Sequence, residues 1–355
     1  MKRLLSVLSI LLISSSIHST TNPQPAMAPK ASNNIEHSTV KADSGTSAVS
    51  SSVDTRLGEA VGSNDLAALR LLLKKGANPN WNFRSASMEV PVLLLAIMDG
   101  SDEIVIALLD AGANPNGFVD LGDKETMSAL VIAISRGRPQ IVKELLKRGA
   151  VVDSKDKDGR TPLMAATLHG SIESVRVLIA SRANVNHESE QGLTVLMVCS
   201  DPTVGDALIK HGAQVNRESK DGNTALLIAA SNGHLEMVRL FLAAKADVNY
   251  QGNKGATALM VCEKPSIIKE LIKHGAKVDL EGINGYTAFL LAAKSGWTDA
   301  AKELLQSGAN PHARNREGQN AAELAFENSH DELGRYLIKY LREHPKKAPK
   351  AKSAV

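Results

Sequence analysis

The stretch LMVCSDPTVGDALIKHGA at 196–213 returns 63 positions later as LMVCEKPSIIKELIKHGA at 259–276. Duplication of a catalytic or metal motif would give such a pair, and so would repetition of architecture alone. The sequence between them decides. GNTALLIAASNGHLEMVRLFLAAKADVN, ending at Asn249, has the same pattern with three extra residues between its two apolar runs, so the interval is one unit of 33 residues and one of 30. A unit that short cannot bury its own apolar face, and a chain made of such units must stack them.

The unit runs through most of the chain. GRTPLMAATLHGSIESVRVLIASRANVN ends at Asn186, ALVIAISRGRPQIVKELLKRGAVVD at Asp153, LLLAIMDGSDEIVIALLDAGANPN at Asn116 and GYTAFLLAAKSGWTDAAKELLQSGANPH at His312. A degenerate first copy, LGEAVGSNDLAALRLLLKKGANPN, ends at Asn80, and a last one, GQNAAELAFENSHDELGRYLIKYLREHP, ends at Pro345, for nine in all. Their bounds are 54–80, 81–116, 117–153, 154–186, 187–216, 217–249, 250–279, 280–312 and 313–345.

Each copy reads as two helices. Thr161, Thr194, Thr224, Thr257 and Thr287 precede an apolar helix start, where a hydroxyl can accept from a free backbone N–H. A short Ala-rich helix, a turn with Gly170, Gly233 or Gly296, and a second amphipathic helix carrying residues such as Ile141 and Leu145 follow. Gly76, Gly112, Gly149, Gly212, Gly275 and Gly308 stand where that helix ends in a left-handed residue. The Asn, Asp and Gly clusters beyond suit tight turns. In the 30-residue units about one helical turn is missing, and Pro202 and Pro265 fall where the second helix begins, a position that needs no N–H.

This pattern resembles the ankyrin repeat, a helix-turn-helix of about 33 residues opened by TPLHxA and joined to its neighbour by a hairpin finger. The resemblance implies an all-α solenoid of about nine stacked helix-turn-helix units. Three departures stand out. The motif His is replaced by Met164, Met197, Leu227, Met260 and Leu290, so packing must hold the helix starts. Arg182 and Lys245 replace the terminating Gly, and two units are short.

Stacked helices lie about 8–10 Å apart, so residues two units apart are separated by about 16–20 Å, beyond the roughly 7 Å Cα limit of a disulfide. Cys199 and Cys262 are therefore expected as small buried residues in the place of Ala229, and His211 and His274 as cations at helix C-termini rather than metal ligands.

Composition fits thin helix pairs: aromatic residues make up 3% against 43% hydrophobic in total, so no large central core is required. MKRLLSVLSILLISSSIHS has the layout of a secretory signal peptide, with Lys2 and Arg3 before an apolar run from Leu4 to Ile13 that is too short to span a bilayer. Cleavage is expected between Ser16 and Ala28, followed to residue 53 by a Ser, Thr and Ala rich tether. The tail after Pro345 carries Lys346, Lys347, Lys350 and Lys352; with Lys2 and Arg3 these six charges turn a formal total of +3 into −3 for the rest. Such a tail offers weak contact to an anionic surface, about 1 kcal/mol per Lys, and no other feature supports nucleic-acid binding.

No GxxxxGK, HExxH or GxSxG motif occurs, and the repeats leave no room for a catalytic domain. Asp156, Asp158 and Asp221 fall in finger turns. The expectation is a protein that is not an enzyme and binds no cofactor or metal. It would be monomeric and would recognise a protein partner through its fingers and concave helix face, as the resemblance implies.

Two fingers point to where. WNFRSASMEVP at 81–91 and GFVDLGDKETM at 117–127 are longer than the rest and carry Trp81, Phe83, Arg84, Phe118, Val119 and Leu121. Insertions in repeat arrays map to loops, often on the binding face, and aromatics with Arg dominate interface energy. Trp81, Phe83, Arg84, Phe118 and Leu121 are the expected protein-binding residues, with Tyr250 and Tyr286 as extensions. Alternatively, the aromatic side chains fold back to cover the N-terminal layers. Export leaves three roles open: a periplasmic scaffold supporting or protecting an enzyme, an effector released toward host proteins, or an envelope spacer.

Overall fold

A computed structural model of the chain describes residues 53–85, 88–120 and 126–345. The expected signal peptide, the expected tether before Val53, Leu121 and the Lys tail lie outside them. The described residues hold sixteen α-helices and two short hairpins, in two compact units divided after Asn78.

In the first unit α1 (Val53–Gly62) packs against α2 (Leu66–Lys74), and Leu57, Val61, Leu69 and Leu72 are buried. Asp65 caps α2 by accepting from the N–H of Ala68 at 2.9 Å. Asp54 ties the chain after α2 back to the start of α1, accepting from Asn78 N at 2.7 Å.

The second unit opens with β1 (Asn82–Ser85) and β2 (Met88–Pro91), then α3 (Val92–Asp99) and α4 (Asp102–Asp110). A second hairpin, β3 (Phe118–Asp120) and β4 (Thr126–Ser128), leads into α5 (Ala129–Ser135) and α6 (Pro139–Lys147). Next come α7 (Pro162–Leu168), α8 (Ile172–Ala180), α9 (Pro202–Lys210), α10 (Ala225–Ser231), α11 (Leu235–Ala243) and α12 (Pro265–Lys273). The chain continues with α13 (Ala288–Lys294), α14 (Thr298–Gln306), α15 (Ala321–Glu327) and α16 (Asp331–Glu343).

Nine full pairs would give eighteen helices. The difference lies in the short units: residues 195–198 and 258–261 form a single turn where the first helix should be, so more is lost than the one helical turn expected from length. Pro202 and Pro265 begin the second helices as expected. The first helices α3, α5 and α7 stack in sequence, as do α13 and α15, but the short units interrupt the column between α7 and α10 and between α10 and α13. The second helices stack without a break from α4 to α14. The long fingers are two-stranded ladders, so the array is mostly helical rather than wholly so.

Thr161, Thr224 and Thr287 cap α7, α10 and α13, accepting from the N–H three residues on at 3.3–3.5 Å. Thr257 makes the same bond to Met260 at the start of a single turn. Met164, Met197, Leu227, Met260 and Leu290, at the motif His position, are buried, which supplies apolar packing in place of a hydrogen bond. The second helices end in left-handed residues: Gly76, Gly112, Gly149, Gly212, Gly275 and Gly308 have φ between 89° and 92°. Arg182 and Lys245 remain left-handed at 66° and 64°, a conformation that strains an L side chain.

The last residue of most units bridges to the next. Asn249 Oδ1 accepts from Lys277 N at 2.8 Å while its Nδ2 donates to Gly275 O at 3.0 Å. Asn80, Asn116, Asn186 and Asn216 make the same two bonds. Asp153 and Asp279 accept from Asn184 N and Asn310 N, and a carboxylate has nothing to donate to the carbonyl. These residues are more than turn formers, because they tie each unit's second-helix C-terminus to the finger before it.

Candidate protein-binding surface

The extra residues of the long fingers form strands. In the first hairpin Phe83 faces Val90 and Arg84 faces Glu89. Arg84 Nε meets Glu89 Oε1 at 2.9 Å with both side chains exposed, an ion pair that contributes at most about 1 kcal/mol. Trp81 stands before β1. Its carbonyl accepts from Val92 N at 2.9 Å, fixing the hairpin to the start of α3. Its ring meets Phe83 edge to face, with centroids 6.3 Å apart and planes at 77°, and both residues are half-buried.

The second hairpin is held the same way, Gly117 O accepting from Ala129 N at 2.9 Å. Successive strand residues face opposite sides, so Val119 is buried at 2% exposure while Phe118 is 60% exposed. Strand β2 lies beside β3, which brings the hairpin of Trp81, Phe83 and Arg84 next to that of Phe118. Much of the Trp81 and Phe83 surface is covered, in part by each other, and Phe118 presents most of its ring to solvent.

Tyr250 and Tyr286 lie elsewhere, four and five fingers beyond the second hairpin. The Tyr250 hydroxyl donates to Glu218 Oε2 of the preceding finger. Lys294 Nζ sits over the Tyr286 ring at 5.0 Å and donates to its hydroxyl at 3.4 Å. Both residues are half-buried.

One residue of this second region was missed: Ile283, 55% exposed and three residues before Tyr286. Aligning the fingers gives the missing signal. Ile283 stands two before the finger Gly, where the other short fingers have Lys157, Glu190, Lys220, Asn253 and Arg316. On the first-helix side, Ala165, Val198, Ile228, Val261 and Leu291 occupy one position of five consecutive units and are all half-buried.

Cys199 and Cys262 are free and buried, their thiols donating to Asp201 O at 3.3 Å and Lys264 O at 3.5 Å. Burial pushes the thiols up to about 12 and about 11. His211 and His274 stand just past α9 and α12, with Nδ1 at 2.8 and 2.9 Å from the carbonyls of Ala207 and Glu270. Among the described residues no group of three or more His, Cys, Asp or Glu side chains is placed to hold a metal ion. No helix among them is long and apolar enough to cross a membrane.

A family model for ankyrin repeats in three copies matches residues 57–156, 93–190, 143–218, 196–281 and 262–348, overlapping segments that together span well over half of the chain. The chain belongs to the ankyrin-repeat family. Ankyrin repeats typically serve as binding modules without catalysis, which fits a stack whose distinguishing side chains lie on fingers.

Among curated proteins, this ankyrin-repeat chain is similar to "Ankyrin repeat and KH domain-containing protein mask-1" of Caenorhabditis elegans, 30% identical over 33% of this chain and 5% of that protein. It is similar to "Putative ankyrin repeat protein YahD" of Escherichia coli (strain K12), 34% identical over 31% of this chain and 60% of that protein. "SH3 and multiple ankyrin repeat domains protein 2" of Homo sapiens is 28% identical over 66% of this chain and 11% of that protein. In each case the match spans less than two thirds of the relative.

Proposed function

We propose that this ankyrin-repeat protein is an exported, periplasmic scaffold whose paired hairpins at 81–91 and 117–128 seat a protein partner. The observation that carries this reading is the exposure of Phe118 on a hairpin anchored by backbone bonds at its base. An anchored hairpin loses little ordering entropy on docking, and an exposed aromatic is the residue type that dominates interface energy. Arg84 adds a charge at the same surface, and Tyr250, Tyr286 and Ile283 extend it toward the C-terminal fingers. Support or protection of a partner enzyme is the role we assign to the complex, by analogy with exported proteins of this family.

Export is supported by the signal-like sequence of residues 1–19. The full chain, expressed with its own leader, is expected in a periplasmic fraction. Release into the medium or a host cell would favour the effector role instead.

Capture from that fraction tests the binding surface. Wild type should retain a partner that a Trp81→Ala, Phe83→Ala, Phe118→Ala triple variant loses, while Phe118→Ala alone weakens capture without moving the melting temperature. Equal capture by all three proteins would move the site to the concave helices or later fingers, and capture by none would favour the envelope spacer.

A further inference from the structure

We infer that the array carries one compliant joint, at unit 187–216, and that the nearly identical unit 250–279 is its locked counterpart. The two share the interrupted first-helix column, the buried Cys and the Pro-started second helix, so the residues that differ between 196–213 and 259–276 account for the contrast.

The differences remove ties between unit 187–216 and its neighbours, although Asp201 gives α9 a side-chain cap that α12 lacks. Position 264 is Lys, whose Nζ crosses to Gly233 O at 2.9 Å in the preceding unit. Its counterpart Asp201 turns inward and caps its own helix, accepting from Thr203 N and Val204 N. On the second helices, Arg239 of α11 reaches Glu270 of α12 at 3.2 Å, and Lys269 of α12 reaches Glu303 of α14 at 3.2 Å. The corresponding pairs around α9 are Arg176 with Ala207, and Asp206 with Leu240, which form no ion pair. Arg176 and Asp206 pair within their own helices, with Glu173 and Lys210.

Packing follows the same division. Helix α12 buries Ile267, Ile268 and Leu271, whereas α9 buries Val204, Gly205 and Leu208. A glycine inside a helix weakens it through backbone entropy, although the neighbours close in on Gly205, Leu240 Cδ2 and Met237 Cε standing 2.8 and 3.1 Å from where a Cβ would be. Both units keep their finger-side bridges through Asn186, Asn216 and Asn249. Unit 187–216 is thus held at its fingers while its second helix lacks the ion pairs that tie α12 to both neighbours, which makes it a hinge. If the array binds as proposed above, bending there changes the spacing between the Phe118 hairpin and the Ile283 finger. The joint itself does not depend on that reading.

Hydrogen exchange on the full chain, read by mass spectrometry as protection relative to intrinsic rates, tests the inference without a partner. Local opening should leave helix 202–210 at least about tenfold less protected than helix 265–273. Ala207→Glu gives Arg176 the partner that Arg239 has and should raise protection in 202–210. Glu270→Ala should lower it in 265–273. Equal protection in the two wild-type helices, or greater protection in 202–210, would overturn the joint. So would a folded Ala207→Glu or Glu270→Ala protein that keeps the wild-type ratio. Should Ala207→Glu fail to fold by circular dichroism, the wild-type comparison and Glu270→Ala still decide.

Discussion

Lys264 Nζ donates to the carbonyl oxygen of Gly233 at 2.9 Å, so a residue of one unit closes the helix turn of the unit before it. Gly233 is left-handed at φ 70°, and a Cβ there would stand 2.5 Å from Lys264 Cε. Gly170, at the same place two units earlier, has φ 64° and open space around it. Gly170→Ala should therefore cost only its backbone strain, about 1 kcal/mol. Gly233→Ala should cost about 1 kcal/mol more, because Lys264 must move and give up its bond. Urea denaturation of both variants, repeated in a Lys264→Ala background, checks this: the extra cost should disappear once Lys264 is gone.

Arg182 and Lys245 are strained where six other units have glycine. Both are exposed and left-handed, and a glycine there would relieve the strain while keeping the backbone bonds Ala183 N to Leu178 O and Ala246 N to Phe241 O. Arg182→Gly and Lys245→Gly should each stabilise by about 0.5–1 kcal/mol, the strain relieved being partly offset by added freedom of the unfolded chain. Thermal melts should rise for each substitution, and a fall in either would show that the arginine or lysine side chain contributes more than its backbone costs.

Periodicity made the helix pairs, the left-handed terminators and the Pro starts legible, because each rests on a local pattern repeated many times. The loss of the first helix at 195–198 and 258–261 was less legible. Both segments keep the apolar residues of a helix start, and only the three-residue deletion signals that no room remains to continue it. Phe118 was found because it breaks the period of finger length. Its 60% exposure beside a buried Val119 depends on strand register, which the sequence of a short hairpin does not specify. Ile283 was overlooked because aromatic content was weighed and the alignment of fingers was not.

Where a unit ends in Asn, that residue supplies both a donor and an acceptor, which predicts different costs for its two conservative replacements. Asn249→Ala removes the bonds to Lys277 N and Gly275 O and should cost about 1–2 kcal/mol, whereas Asn249→Asp keeps the acceptor and should cost less. The reverse change offers the sharper check. Asp279 accepts from Asn310 N at 2.9 Å, and Asp279→Asn adds a donor for Gly308 O of the kind Asn249 gives Gly275. It should stabilise by about 0.5–1 kcal/mol, read as a higher urea midpoint at unchanged slope.

The buried thiols give a pH dependence of definite sign. Cys199 is raised to about 12 and Cys262 to about 11, from 9.0, chiefly by burial. Below about pH 9 both the native and the unfolded chain hold these protons, and the contribution to stability is complete. As pH rises further, the unfolded chain releases protons that the native state keeps, so stability is lost progressively until the folded values are reached. The loss amounts to at most about 1.4 kcal/mol per thiol per pH unit. Lys and Tyr residues titrate in the same range, so the comparison must be with Cys199→Ala, Cys262→Ala, which places at both sites the residue found at Ala229. Between pH 8 and 10.5 the urea midpoint of the wild type should fall more steeply than that of the double variant, and native thiols should react with a disulfide reagent at pH 8 far more slowly than in urea. Parallel midpoints, together with rapid native labelling, would mean that the two cysteines are reached by solvent and that the turns they close open readily.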